Sequence, residues 1–382
     1  MEEYLLSGSI LCGDDFEVAE GYICIREGVI IEICEESGPV DALAHGIVMP
    51  CFVNAHTHIG DSVLKDPRVT DLASLVQPPD GLKHRVLRTT DLHDLVRAMR
   101  ASIHDMAATG TCAFADFREG GLRGVQALQQ ASSCTHVDAV IFGRPTGAGG
   151  DDGIYGSDDT DRGGVTDLED EIGSILGCAD GIGISSTSDY EDGVAAAIAE
   201  CATKCGGRFA IHAGELDSTD IKDALALNPS LLIHLTHAST DDLCRVSDQD
   251  IPVVVCLQSN LLTRVGMPPV EAMFAADVTV AAGTDNVMFN SVDMFAEMRF
   301  LSSVFALSEQ QVLGMCTRSG ALALGLNCGT IKMGLDAKVM VLDEDSYNLV
   351  GARNILRSVV RRARAGDILF CSGGITRSQC VI

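Results

Sequence analysis

Five of the chain's ten histidines stand directly after short apolar runs, where a strand would hand its last side chains to a loop. His56 and His58 close the run Asn54-Ala55-His56-Thr57-His58. Residues two apart on a strand share a face, so both imidazoles can turn to one point and chelate an ion. Further along come His212-Ala213-Gly214-Glu215, then His234-Leu235-Thr236-His237, then Gly283-Thr284-Asp285-Asn286. Each motif alone is ordinary: an HxH can sit in any loop, a single histidine is usually a satisfied core residue, and an aspartate after glycine is usually a turn. In this order, each ending an apolar run, they describe a metal centre. Three imidazoles and a carboxylate form a nitrogen and oxygen ligand set suited to Zn²⁺, with Fe²⁺ as the alternative, and leave a position for water. An ion there would bring the pKa of that water toward about 7. Glu215, three residues beyond His212, is then placed as a proton shuttle. His234 can hold the water or polarise a substrate, and Asp285 can both ligate and take the water's proton.

Ligands so far apart in sequence need a framework that returns to one place repeatedly. Eight apolar runs provide it: Met49 to Asn54, Cys112 to Phe117, Val137 to Phe142, Gly181 to Ser185, Arg208 to Ile211, Leu231 to Ile233, Val253 to Cys256 and Val278 to Ala282. Segments of helical length lie between them, among them Leu92 to Ala108, Tyr190 to Lys204 and Val292 to Ala306. Strand then helix, eight times, is the rhythm of an α/β fold of the (β/α)8 TIM-barrel type, whose reactive groups sit at the C-terminal ends of the strands. The barrel is expected over residues 48–328. Residues 1–47 show short β-rich runs and turns, and residues 329–382 show more strand signal, including Ile355 to Arg364 and Asp367 to Phe370. Pairing these terminal segments into a small β-sandwich satisfies both. The glycine- and aspartate-rich stretch from Gly147 to Gly164 reads as a mobile loop.

Composition narrows the partners. With 54 acidic against 27 basic side chains the formal charge is -27, which repels phosphate backbones and anionic lipid. Tryptophan is absent, so stacking platforms for bases are few. These features argue for a small-molecule substrate and against nucleic acid or membrane as partners; homo-oligomerisation stays open. The fifteen cysteines include no CxxC pair and read as reduced thiols. The acidic start Met1-Glu2-Glu3 lacks the basic region of a signal peptide, and no apolar run reaches membrane-spanning length. A cytoplasmic protein is expected.

With these motifs in hand the chain resembles the amidohydrolase superfamily, and within it the group of cytosine deaminases, chlorohydrolases and S-adenosylhomocysteine deaminase-like enzymes. The resemblance rests on Met49-Pro50-Cys51-Phe52-Val53-Asn54-Ala55-His56-Thr57-His58, the HxxE, the histidine after the sixth strand, Ser259-Asn260 and Gly283-Thr284-Asp285-Asn286. It implies ligation by His56, His58, His212 and Asp285, with Glu215, His234 and Asp285 catalytic. His234 is preferred to His237 because it comes first after the run. Binuclear relatives carry a carboxylated lysine at the end of strand four. The lysines between His58 and His212 are Lys65, Lys83 and Lys204, none of them there, so a single metal ion is expected.

The activity this implies is hydrolytic deamination of an amino-substituted, purine- or pyrimidine-like heterocycle with release of ammonia. Hydrolysis of a cyclic amide or removal of chloride on the same scaffold is the alternative, and a non-catalytic binding barrel is a third reading. Purine-nucleoside members carry Arg-Gly soon after the HxH and Trp-Leu in the first long loop. This chain has Gly60-Asp61-Ser62-Val63 and no tryptophan, which points away from a purine nucleoside. Arg118, Glu119, Arg144, His237, Asn260 and Asn286 are candidates for substrate contact. The two arginines suggest a polar or anionic appendage.

Overall fold

The computed structural model describes residues 3–36, 41–68, 72–78, 80–146 and 168–372. The stretch from Gly147 to Gly164, read as a loop, lies outside the described residues. The chain divides into two compact units, one of Met1–Ala55, His104–Ala113 and Asp293–Ile382, the other of His56–Ile103 and Phe114–Val292.

In the first unit β1 (Glu3–Cys12), β2 (Glu17–Arg26), β3 (Val29–Cys34) and β4 (Ala44–Pro50) come from the N-terminal segment. They join β14 (Val339–Leu342) and β15 (Ile368–Cys371) in a sheet of order β15-β14-β4-β1-β2-β3. The two ends of the chain thus meet as expected, but in one six-stranded sheet. The reason is β4, which pairs in parallel with β1 and antiparallel with β14, so the ladder runs on without a break. Leu6, Ile10, Ile23, Ile25, Val48, Val339 and Val341 share its core.

Ile355 to Arg364, read from its valines as strand, is instead a helix over Ile355–Arg362. Asn354 caps it by accepting from the Arg357 amide, and Leu356, Val359 and Val360 form a buried stripe at helical spacing. Arg357 and Arg361, one turn apart, both pair with Glu309. Local capping and helical burial therefore override the β-branched composition.

All eight runs of the expected barrel are strands. They are β5 (Phe52–His58), β6 (Thr111–Arg118), β7 (Asp138–Gly143), β8 (Gly181–Ile184), β9 (Arg208–Ala213), β10 (Leu231–His234), β11 (Val253–Val255) and β12 (Val280–Ala282). They neighbour one another in chain order, and the assigned ladders from β7 to β12 are parallel. β5 and β6 are buried at every position, as in strands covered on both faces.

The eighth strand is broken. Its first half, β12, pairs with β11; after Gly283-Thr284 it resumes as β13 (Asp285–Asn286), which pairs with β5 through Asp285↔Thr57 and Asn286↔His58. That second pairing closes the ring. Gly283 permits it, because a Cβ there would lie 2.8 Å from the backbone N and O of His56. Gly283→Ala is expected to push the strands apart at His56, costing about 1–3 kcal/mol and weakening metal retention. Urea denaturation together with metal content checks this, and a variant with wild-type values on both would show that the close approach is not needed.

Candidate metal centre

The strand ends bring His56, His58, His212 and Asp285 to one point. His212 Nε2 lies 3.2 Å from His56 Nε2 and 3.4 Å from His58 Nε2. Asp285 Oδ1 lies 3.3 Å from His56 Nε2 and 3.7 Å from His58 Nε2. Nitrogen ligands about 2.05 Å from a tetrahedral Zn²⁺ would stand about 3.4 Å apart, so these separations suit one ion.

The second ring nitrogens support the fit. His212 Nδ1 donates to the Ile184 carbonyl at 2.8 Å and His58 Nδ1 to the Phe117 carbonyl at 3.0 Å, which turns both Nε2 lone pairs toward the common point. Lone pairs and a carboxylate oxygen facing one another at such distances repel unless a cation lies among them. Burial holds His56 below the usual histidine range and, with the neighbouring imidazoles, holds His212 well below it; burial and the charge of Lys83 bring His58 to about 3. All three are neutral near pH 7, as ligands must be. Burial would raise the Asp285 carboxyl, but the imidazoles, His56 first, keep it well below the ordinary range.

Asp285 has a support that sequence reasoning did not assign. The Ser259 hydroxyl donates to Asp285 Oδ2 at 2.6 Å, leaving Oδ1 for the centre. His234 and Asp285 both have positive φ, 75° and 60°, which aims their side chains at a cost of about 1–3 kcal/mol each. Glu215 Oε2 stands 3.6 Å from His234 Nε2. Burial, then the charge of Asp285, raises the Glu215 carboxyl, with His234 opposing. Asp220 fixes the loop that carries it, accepting from the Gly214 amide at 2.8 Å and from the Ser186 hydroxyl at 2.6 Å.

Above these groups lies a cavity of about 180 Å³, lined among the described residues by His58, His212, His234, Glu215, Asp285 and Asn286. Lys83, Arg144, Ser185, Asp189 and Asp217 also line it, with Leu72, Ala73 and Val76 as an apolar wall. Of the residues expected to touch substrate, Arg144 and Asn286 are therefore here. Arg118 and Glu119 are not. Arg118 is fully buried, with its guanidinium against Met99 Sδ at 3.5 Å and paired to Asp116 and Glu119. Glu119, also fully buried, accepts from Arg118, forms an ion pair with Lys83 and lies 3.1 Å from His58 Nδ1, so it stands behind that ring. Burial opposes its charge, yet Lys83 and Arg118 hold its carboxyl well below the usual range. Asn260 turns away, donating to Thr236 Oγ1 at 2.9 Å, and His237 donates to the Val265 carbonyl at 2.8 Å; neither lines the cavity.

His56→Ala removes the ligand shared by the closest pairs. The variant is expected to lose stoichiometric metal on dialysis while Glu215→Gln keeps it, as elemental analysis would read. A His56→Ala protein that kept one ion per chain would remove His56 from the ligand set.

The amidohydrolase family model matches residues 47–373. A protein of Methanocaldococcus jannaschii is 32% identical, with 96% of each chain covered. The 5'-deoxyadenosine deaminase of Methanosarcina barkeri is 25% identical over 93% of this chain and 87% of its own. Among solved structures, a zinc-bound adenosine deaminase from Xanthomonas campestris superposes with a TM-score of 0.81 at 18% identity, covering 99% of this chain and 94% of the other, a likeness of fold. The matched residues run from the strand before the HxH past the closing strand, and the chain belongs to the amidohydrolase family.

Proposed function

We infer that the chain is a hydrolytic deaminase that replaces the amino group of a heterocycle by oxygen, with one Zn²⁺ held by His56, His58, His212 and Asp285. The observation that carries this is the convergence of those four donors beside Glu215 and His234, with no lysine in β8 to bridge a second ion. The deaminase relative supports the same chemistry. When bound, the ion supplies Lewis acidity and lowers the pKa of a water.

The protein's groups carry the protons. Asp285 accepts one from the attacking water. Glu215, kept protonated to higher pH than an ordinary glutamate, delivers its proton to the ring nitrogen next to the reacting carbon. His234 orients the water and the developing oxyanion. As the C–O bond forms and the C–N bond breaks, the amine takes the remaining proton and leaves as ammonia.

The test is ammonia release by the zinc-loaded chain from a panel of aminopurines, aminopyrimidines, triazines and pterins. Ammonia from any member supports deamination. Chloride or carboxylate release without ammonia would instead assign the dehalogenation or ring-opening chemistry.

A further inference from the structure

Asp285 reaches the donor cluster from β13, a strand of two residues whose ladder to β5 is the pairs Asp285↔Thr57 and Asn286↔His58. It does so with φ at 60°, a left-handed backbone that a non-glycine residue keeps only where its surroundings hold it. Ser259 holds the Asp285 side chain. The chain just beyond Asp285 is held by a residue with no role so far, Asp61.

Asp61 stands in the 3₁₀ turn Ile59–Val63 that follows His58, and it is 2% exposed. Both of its carboxylate oxygens are taken up by the residues around the closing strand. Oδ2 accepts from Asn286 Nδ2 at 2.9 Å, and Oδ1 accepts from the Met288 amide at 3.0 Å. The Asp66 amide donates to the Met288 carbonyl at 2.9 Å, so the loop leaving β5 takes both backbone polar groups of Met288. Because Asn286 lies opposite His58 in the β13–β5 register, the Asp61 bond closes a short ring of contacts that contains one ligand and adjoins another. Burial pushes the Asp61 carboxyl up to about 8, with Lys83 and Asn286 opposing it. An apolar side chain of the same shape would fill this space without that desolvation. What the carboxylate adds is two directed acceptors.

Resting on the ligand set inferred above, we propose that Asp61 is a positioning residue: by tying Asn286 and Met288 to the turn after His58, it holds β13 on β5 and keeps Asp285 Oδ1 among the three imidazoles.

The test compares Asp61→Leu, close in shape but without acceptors, with Asp61→Asn in the full chain. Asp61→Leu should bind Zn²⁺ at least tenfold more weakly in competition with a chelator, the scale of a lost outer partner. It should also alter the visible spectrum of the Co²⁺-loaded protein and, in the metal-free protein, speed hydrogen exchange at the backbone amides of Asn286 and Met288. Asp61→Asn keeps an acceptor for the Met288 amide and, once the Asn286 amide turns over, donates to its oxygen, so it should restore most of the Zn²⁺ affinity. Wild-type affinity and Co²⁺ spectrum in Asp61→Leu, even with a lowered urea midpoint, overturn the proposal. Asp61→Asn binding as weakly as Asp61→Leu also overturns it, since the charge and not the pair of hydrogen bonds would then matter. Should Asp61→Leu fail to fold, Asn286→Ala, which leaves the Met288 bond in place, should still bind Zn²⁺ more weakly; unchanged affinity there overturns the tie. If the wild-type chain holds no ion, the ligand-set reading fails separately, and the exchange rates decide: faster exchange in Asp61→Leu supports the tie, and unchanged exchange overturns it.

Discussion

Glu215→Gln is expected to keep its metal and lose turnover by roughly a hundredfold or more, the scale of a removed general acid or base. The amide has nearly the same shape, so the loop held by Asp220 keeps its place. What disappears is a carboxyl whose pKa burial has raised and which stands 3.6 Å from His234 Nε2. A raised pKa keeps Glu215 protonated to higher pH than an ordinary glutamate, which suits the proton donor proposed above. The loss should therefore fall on kcat more than on KM, with metal content unchanged. Full activity in this variant on an identified substrate would remove Glu215 from the proton path.

Glu119→Ala should show the largest effect on stability. Glu119 is fully buried, accepts from Arg118 and pairs with Lys83, so its removal leaves the buried Lys83 ammonium without its carboxylate and Arg118 with Asp116 alone. Breaking a buried ion pair from one side costs about 3–5 kcal/mol. His58 also loses the carboxylate 3.1 Å from its Nδ1 but keeps the Phe117 carbonyl, so metal affinity should fall only to the low end of the about 10–100-fold seen when a ligand's outer partner is removed. Urea midpoints and metal titration read the two effects independently. Replacing Lys83 and Glu119 together by Met and Leu should recover part of the stability, because one stranded cation is then gone. A single variant destabilised by under about 1 kcal/mol would show that the network is not held by Glu119.

Much of the barrel and the ligand candidates could be read in the sequence because each apolar run ends where the polar chemistry begins. Arg118 and Glu119 show where such reading stops. β6 is buried on both faces, so two-residue alternation does not tell the barrel interior from the helix-facing side. Lys83 gave no signal at all. It lies in the short helix Leu82–Thr89, far along the chain from His58, and only the fold brings it to Glu119. Ser259 was visible as part of a motif, but its bond to Asp285 depends on how the helix Leu257–Thr263 that follows β11 meets the broken eighth strand. The helix Ile355–Arg362 was misread because Val359 and Val360 suit a strand by composition, while the cap at Asn354 is a local signal that outweighs them.

The break in the eighth strand bears on the order in which the molecule assembles. Neighbouring strands from β5 to β12 can be laid down in chain order, each meeting the one before it, whereas Asp285↔Thr57 and Asn286↔His58 join the two ends of that series. Contacts so distant in sequence carry a large loop-closure entropy, and this seam has only two registered pairs to offset it. It should form late in folding and open early, as hydrogen exchange at the Thr57, His58, Asp285 and Asn286 amides would reveal. Because Asp285 meets His56 and His58 across that seam, the four donors proposed to hold the ion come together only in chains whose ring has closed.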